Sequence, residues 1–334
     1  MAQSRLRYPP RDALVTLPSD MRSPTRLNLV LAFAAVYLIW GSTYLGILFA
    51  IRSIPPFLMA GSRYFTAGVI LYALARTQGA NRPAPITWRS AAIIGACLIL
   101  GGNGGVTISE KYIDSGLAAV MVATVPIYIV LLSWASGQAP RPSVPVMIGL
   151  AGGFLGVGIL MAPSLHFTGH EMHRPGIGMM ILLFSSFIWS AGSLYSRRAV
   201  NAESPFLAAG QQMICGGALL LLAGALTRER LQWSGVTALS VGAWIYLVLI
   251  GAIIGFSAYI YLLRHCDPAK VATYAYVNPI VAVILGALFA GETLSMRAIV
   301  AAALIIGSVA IVITAQQFGA KSEPGISAAM AEAE

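Results

Sequence analysis

Charged residues are scarce in this chain: they make up 10% of its 334 residues, whereas 57% are hydrophobic. A soluble domain is roughly a quarter charged and presents much of that charge to water. Polar surface on that scale is missing here, so the excess apolar side chains must face lipid. The low charge content therefore excludes an ordinary water-soluble fold.

Cysteines and catalytic motifs are also scarce. Cys97, Cys215 and Cys266 lie far apart in or near apolar runs, without the spacing of a metal site. The sequence lacks a Gly-x-Ser-x-Gly elbow, a His-Glu-x-x-His motif and a Walker loop, and no Lys follows the glycine-rich run 101–105. We therefore expect no catalytic residue, no cofactor and no metal, which disfavours a membrane enzyme.

The net charge of +9 has a distribution typical of membrane proteins. Lys and Arg lie in short segments between apolar runs, and about two thirds of them share the side of the N-terminus. This bias predicts that both termini are cytoplasmic. It also disfavours a nucleic-acid partner, which would require a basic face on a soluble domain.

Ten apolar runs are long enough to cross a bilayer as helices, which takes about 20 residues each. They cover residues 29–49, 56–75, 91–109, 115–135, 144–162, 177–196, 205–226, 241–263, 270–290 and 296–315. Glycines 101–105 interrupt the third run. The stretches 1–27 and 316–334 are predicted to be disordered cytoplasmic tails. The pattern predicts an all-α integral membrane protein with ten transmembrane helices.

The two halves of the chain repeat one another. The run 56–61 (PFLMAG) matches 205–210 (PFLAAG), and the same offset aligns Trp40 with Trp189. A second block aligns Pro126 with Pro279 after a shift of a few residues.

The repeats cover 28–162 and 177–315, with five spans each. Because five is odd, the second half must enter the membrane from the opposite side. The sequence therefore predicts an inverted repeat, with a substrate site near the bilayer midplane between the halves.

Arg63 is the clearest ionisable group inside a span. Its burial costs about 2.5–3.5 kcal/mol on insertion scales, so it needs a partner or a wet cavity. Its repeat mate Gln212 is also polar, which indicates an inward-facing position in both halves. Two interpretations stay open: Arg63 ties helix ends together through backbone carbonyls, or it contacts the substrate. We assign Arg63 and Gln212 to a structural or gating role.

The matched prolines Pro126 and Pro279 join that group. A proline within a span frees a carbonyl and kinks the helix. The kinks either shape a cavity, act as hinges or are simply tolerated.

The carboxylates near the membrane lie at span ends: Glu110, Asp114, Asp267 and Glu292. We expect them to be helix caps or interfacial charges. A carboxylate in the middle of a span is the usual mark of proton coupling or of cationic-drug binding. The sequence has none, which weighs against both.

Several motifs together point to one family. In chain order they are 39–44 (IWGSTY), 55–63 (PPFLMAGSR), 103–107 (NGGVT), 122–126 (VATVP), 274–279 (YAYVNP) and 291–294 (GETL). The sequence resembles the EamA family of the drug/metabolite transporter superfamily, and most closely its YedA-like members. The resemblance implies two inverted EamA repeats, cytoplasmic termini, and export of metabolites, often amino acids and sometimes drugs, across a bacterial inner membrane.

In that family the third, fourth, eighth and ninth helices line a central cavity. The resemblance therefore implies a set of substrate-binding residues on these helices: Asn103, Thr107, Thr124, Tyr128, Tyr259, Tyr274, Tyr276 and Asn278. The amides among them need hydrogen-bonding partners in hydrocarbon, which independently favours an inward position.

The neutral, aromatic-rich spans favour a transporter that exports small neutral or zwitterionic metabolites, amino acids first, by alternating access. A multidrug exporter of apolar compounds is the main alternative, and a non-transporting membrane sensor is a weaker one. The partners expected are a small-molecule substrate and the lipid bilayer. Because both halves lie in one chain, a monomer is sufficient.

Overall fold

The computed structural model describes residues 25–139, 141–161, 173–266, 271, 273–293 and 295–321. Within them it contains helices, turns and loops but no strand. The predicted tails lie outside this set except for residues 25–27 and 316–321. Thr25 is the N-cap of the first helix, and the others belong to the first and last helices.

Within the described residues, ten helices follow the ten predicted spans. In chain order they are α1 (Arg26–Ala50), α2 (Pro56–Thr77), α3 (Pro85–Ser109), α4 (Ser115–Ala135), α5 (Val144–Met161), α6 (His173–Ser196), α7 (Pro205–Leu226), α8 (238–265), α9 (274–290) and α10 (Met296–Lys321). Seven of them contain spans that are long and apolar enough to cross a membrane, and α5, α9 and α10 contain shorter apolar stretches. The prediction of an all-α membrane protein is confirmed.

The helices of the two halves pair across a pseudo-twofold axis. Helix α2 packs antiparallel to α7 along a seam of glycines, where a Cβ on Gly68 would lie 2.7 Å from the Ile214 nitrogen and one on Gly217 would lie 2.5 Å from the Phe65 nitrogen. Helix α5 pairs with α10 in the same manner. Glycine seams let backbones approach closely, which drives helix association in lipid.

Helices α3 and α8 each widen into a π-helix, over Gly95–Gly104 and Leu247–Ile254. These segments occupy corresponding places in the two repeats. In water a cluster of glycines would break a helix. In α3 the glycines at 101–105 instead lie within or directly after the π-helical segment, and the helix continues. A π-helical segment is often found at a functional site.

Two carboxylates from the second half cap helices of the first half at the end of the bundle where α1 ends and α2 begins, here called the α1–α2 end. Glu229, between α7 and α8, accepts from the backbone nitrogens of Phe57 and Leu58 at 3.2 and 2.9 Å. Glu292, between α9 and α10, accepts from the Ser115 nitrogen at 2.8 Å and the Gly116 nitrogen at 3.1 Å. Negative charge at a helix N-terminus is stabilising, so both caps hold the halves together at this end.

Candidate functional site

A cavity lies between the two halves of the bundle. Its unfilled space is about 800 Å³, including the part that opens to the surroundings. The first half lines it with α1, α2, α3 and α4, and the second half with α6, α8 and α9. The family-based expectation of α3, α4, α8 and α9 is thus part of a larger set.

An aromatic wall forms one side of the cavity. The matched residues Trp40 and Trp189 meet edge to face, with ring centroids 6.3 Å apart. Tyr274 stands edge-on to Trp40 at 5.4 Å, and Phe256 also faces the cavity. Because the two tryptophans occupy equivalent positions of the repeats, the pseudo-twofold axis passes close to this wall.

Glycines allow the tryptophans to take these places. A Cβ on Gly102 would lie 2.5 Å from the Trp189 ring, and a Cβ on Gly255 would lie 2.7 Å from the Trp40 ring nitrogen. The two glycines lie beside or within the widened turns of α3 and α8. The tryptophan of each half therefore packs against a glycine of the other half.

Arg63 supplies the positive charge of the cavity. It is only 3% exposed, and its guanidinium donates to the Tyr64 hydroxyl at 2.8 Å and to the Asn103 side-chain oxygen at 3.4 Å. The guanidinium carbon lies 4.4 Å from the centre of the Tyr64 ring, and Nε has no hydrogen-bond partner. Its bonds therefore run to side chains and not to the helix-end carbonyls considered from the sequence.

Asn103 connects Arg63 to the widened turn of α3. Its amide nitrogen donates to the Leu98 carbonyl, five residues earlier, at 3.2 Å, while its oxygen accepts from Arg63. In an α-helix the carbonyl four residues before Asn103 is that of residue 99, whereas a π-helix pairs groups five residues apart. The bond to the Leu98 carbonyl therefore matches the π-helical geometry of this segment. The arrangement holds an amide oxygen against the guanidinium.

Asn278 occupies the wall formed by α9. It is buried at 5% exposure, and with its amide nitrogen turned toward them it donates to the carbonyls of Tyr37 and Tyr274 at 3.1 and 3.3 Å. These bonds supply the partners that a buried amide requires. Pro279 follows within the same helix, so the proline-containing segment of α9 is hydrogen-bonded to α1 through the Tyr37 carbonyl.

The structure brings some of the predicted binding residues to the cavity and not others. Asn103, Tyr274 and Asn278 line the cavity, as does Arg63. Four others do not line it: Thr107 donates to the Asn103 carbonyl at 2.9 Å, Thr124 donates to the Met121 carbonyl at 2.7 Å, Tyr259 packs on Trp40 with ring centroids 4.9 Å apart, and Tyr128 stands edge-on to Phe187. The side chain of Tyr276 lies outside the described residues.

The remaining structural assignments fall at different places. Gln212, the repeat mate of Arg63, is buried and donates to the Asn201 side chain at 3.4 Å, away from the cavity lining. Pro126 lies at the start of the second segment of α4, just after a break at residues 123–124. The two matched prolines therefore act differently, since α9 continues through Pro279.

Sequence reasoning did not assign several residues that line the cavity: Tyr44, Tyr64, Ser185, Ser186 and Phe256. The adjacent serines within the apolar run of α6 were a usable signal, because hydroxyls in hydrocarbon need partners. Tyr64 follows Arg63 directly, and its role appears only once the guanidinium is seen above its ring.

Glu110 departs most from its expected interfacial place. It directly follows α3 and is 4% exposed, and within the described part of the chain neither of its carboxylate oxygens has a hydrogen-bond partner. Burial raises its pKa well above the usual range; the charge of Glu292 raises it further, and the charge of Arg63 opposes the shift. A carboxylate that reads as interfacial in the sequence is thus buried beside the cationic side of the cavity.

The geometry can be compared with known proteins. A model of the EamA-like transporter family matches residues 27–162 and again residues 176–314. The chain belongs to the EamA-like transporter family. The two matches give the same repeat that the paired helices show, and they establish the chain as a multi-pass membrane transporter.

Individual relatives of this EamA chain extend over most of its length. It is 38% identical over 299 residues to "Uncharacterized inner membrane transporter YedA" of Escherichia coli (strain K12), covering 87% of this chain and 92% of that protein. It is 25% identical to "Uncharacterized transporter YvbV" of Bacillus subtilis (strain 168), with the same two coverages. A solved crystal structure with 21% identity superposes with a TM-score of 0.58 over 86% of this chain and 98% of the other, which shows a shared fold.

Proposed function

We propose that this EamA transporter exports small zwitterionic metabolites, amino acids first, across the bacterial inner membrane. The observation that carries the proposal is Arg63, a buried guanidinium on the wall of the central cavity with an unpartnered Nε. A guanidinium forms strong, geometrically specific bonds with a carboxylate. The membrane assignment is supported by the similarity to the E. coli inner membrane transporter YedA.

The aromatic wall of the cavity suits the rest of an amino acid. Trp40, Trp189 and Tyr274 present aromatic rings, on which an ammonium group is attracted by about 0.5–2 kcal/mol and an apolar side chain is desolvated. Asn278 and the paired serines 185–186 add neutral polar groups. A substrate that spans the cavity would thus place its carboxylate at Arg63 and its ammonium or side chain at the aromatic wall.

The inverted halves support alternating access as the transport mechanism. The cavity lies between the halves, and the caps by Glu229 and Glu292 join them at the α1–α2 end. Transport then requires that contacts at this end open while those at the other end close. We retain the proposal of a monomer with both termini cytoplasmic.

The testing experiment measures flux in proteoliposomes that contain the purified full chain. Labelled threonine, methionine and phenylalanine are loaded separately, without an ion gradient, and compared with empty liposomes. Saturable flux is expected for at least one of them. Arg63→Gln should raise the half-saturation concentration of the transported amino acid about 10- to 150-fold, because a hydrogen bond to a charged group contributes about 1.5–3 kcal/mol.

Arg76→Gln is the matched control, because Arg76 lies in the last turn of the same helix and outside the cavity lining. Competition separates the two substrate groups: 3-phenylpropionate keeps the carboxylate and phenethylamine keeps the ammonium. Inhibition by 3-phenylpropionate should depend on Arg63. Equal flux through Arg63→Gln and the wild type would refute recognition of a carboxylate.

A second candidate function is export of uncharged apolar compounds. The aromatic wall of Trp40, Trp189 and Phe256 favours it, since such a surface desolvates apolar ligands without any charge. Flux of an apolar compound that survives Arg63→Gln but is lost in Trp189→Ala would support this function over the first.

A further inference from the structure

Glu110 and Arg63 place two unlike ionisable groups in the same buried region. Glu110 comes from the end of α3 and Arg63 from α2. Both Glu110 oxygens and the Arg63 Nε are buried and have no hydrogen-bond partner among the described residues. Val106, one helical turn before Glu110, lines the cavity together with Arg63. The carboxylate therefore lies one turn beyond the cavity wall, on the side of its positive charge.

Other charged or titratable groups face Glu110 from the elements around it. Arg63 on α2 and Glu292 between α9 and α10 are close enough to act on its charge, and Tyr44 on α1 also lies within electrostatic range. On its own loop, Lys111 and Asp114 are exposed. His173 and Arg174 begin α6 at the same end of the bundle, and their side chains lie outside the described residues. Among the described groups, burial, the Arg63 cation and the Glu292 anion act most strongly on Glu110.

We propose that Glu110 is a proton-binding site of the transport cycle, protonated while Arg63 is available to a substrate carboxylate and ionised when Arg63 instead neutralises Glu110. This inference rests on the proposed function for the identity of the anion at Arg63. Its first part, a proton site at the buried Glu110 carboxylate near Arg63, does not depend on which substrate is carried.

Charge balance in a buried region gives the reason. A single buried carboxylate is costly unless it is neutralised by a proton or by a cation. When a substrate carboxylate occupies Arg63, the guanidinium is used and Glu110 must hold a proton, taken from the water phase to which the cavity is open. When the substrate dissociates, Arg63 again compensates the Glu110 charge and the proton can dissociate as well. Proton and carboxylate therefore bind together, and linkage makes the effect reciprocal.

The first test needs no substrate. Infrared spectra of the full chain in lipid nanodiscs, recorded over a pH series, follow the carbonyl band of protonated carboxyl groups. The wild type should show a band that persists above the pH at which an ordinary glutamate ionises and that is absent in Glu110→Gln. Glu203→Gln, a change in the α6–α7 loop, is the matched control and should retain the band. If Glu110→Gln retains every carbonyl band of the wild type, the proposal is overturned.

Two variants that leave Glu110 in place test its coupling with opposite signs. Arg63→Gln removes the cation, so the titration midpoint of the band should move to higher pH by about 1 unit or more. Glu292→Gln removes the anion, so the midpoint should move to lower pH. A midpoint that neither variant shifts would overturn the coupling to Arg63.

The final measurement adds phenylalanine as the probe. Its dissociation constant is determined by equilibrium dialysis at about pH 6 and about pH 8, where binding that requires protonated Glu110 weakens by up to about tenfold per pH unit above the titration midpoint. Glu110→Gln should bind with the same affinity at both values. Wild-type binding that is independent of pH would overturn the linkage. An infrared band that behaves as expected without phenylalanine binding at any pH would support the proton site and refute the amino-acid assignment instead.

Discussion

The cationic side of the cavity shows how single residues are held in an apolar bundle. Arg63 is buried against the Tyr64 ring and shares the Asn103 amide, so its charge is spread over an aromatic face and a neutral dipole. Neither neutralises it. The residue therefore keeps an unsatisfied capacity for an anion, which is what a binding site for a carboxylate requires and what a purely structural arginine would avoid.

The stability of the folded chain should depend on Glu110 and pH. Because the folded-state pKa of Glu110 is raised, the folded protein holds its proton more tightly than the unfolded chain does. The stability of the folded protein therefore falls by about 1.4 kcal/mol per pH unit once the pH rises above the unfolded-state pKa of about 4.3. This loss levels off above the folded-state pKa. Glu110→Gln stays neutral, so it should match the wild type in acid and be increasingly more stable than the wild type toward neutral pH.

Thermal unfolding of the detergent-purified chain over a pH series measures this difference, with Glu203→Gln as the reference. A stability difference between Glu110→Gln and the wild type that does not change with pH would contradict the raised pKa.

Residue identity and place were predictable to different degrees. The sequence marked Arg63, Asn103 and Asn278 as inward-facing, because polar groups in hydrocarbon have few alternatives. It did not reveal the burial of Glu110, since a carboxylate that follows an apolar run is normally at the interface. Only the packing of α3 against neighbouring elements, and the cap that Glu292 makes on α4, brings that end of the helix inside the bundle.

At the scale of single elements, length and hydropathy predicted the helices well and their internal geometry poorly. The π-helical segments in α3 and α8 depend on a register shift of one residue, which hydrophobic periodicity does not record. The glycines at 101–105 gave a partial signal. They indicated close approach, but in α8 the equivalent widening over Leu247–Ile254 has only Gly251 within it.

The α2–α7 glycine seam should be intolerant of added volume. A Cβ on Gly68 would lie 2.7 Å from the Ile214 nitrogen and 2.9 Å from the Gly210 oxygen, and backbone atoms cannot rotate away. We expect Gly68→Ala to destabilise the protein by about 1–3 kcal/mol, as overpacking does. Gly158→Ala in α5, where nothing lies within 4 Å, should instead be neutral or stabilising by up to about 1 kcal/mol.

Thermal stability of the two variants, compared by size-exclusion chromatography after heating, distinguishes the outcomes. Equal effects of the two substitutions would mean that close approach at the seam contributes nothing beyond helix propensity.

At the scale of the whole molecule, the inverted repeat was predictable because its two halves still share sequence. The repeat match predicted that Trp40 and Trp189 are equivalent residues of the two halves, but not that their rings are in contact. Equivalence in sequence does not say how close a residue lies to the pseudo-twofold axis between the halves. The caps by Glu229 and Glu292 were less visible. They join loops of one half to helix ends of the other, and such contacts depend on the closed arrangement of the bundle.

The meeting of Trp40 and Trp189 gives the protein a built-in optical reporter. Two indoles whose ring centroids are 6.3 Å apart, one from each half, are near enough for their electronic transitions to couple. The near-ultraviolet circular dichroism of the native chain should therefore contain a paired signal that Trp40→Phe and Trp189→Phe each abolish, whereas Trp233→Phe, at an exposed turn, leaves it intact. If the halves rock during transport, the amplitude of that signal changes with their separation, and the conformational cycle can be followed in an unlabelled protein.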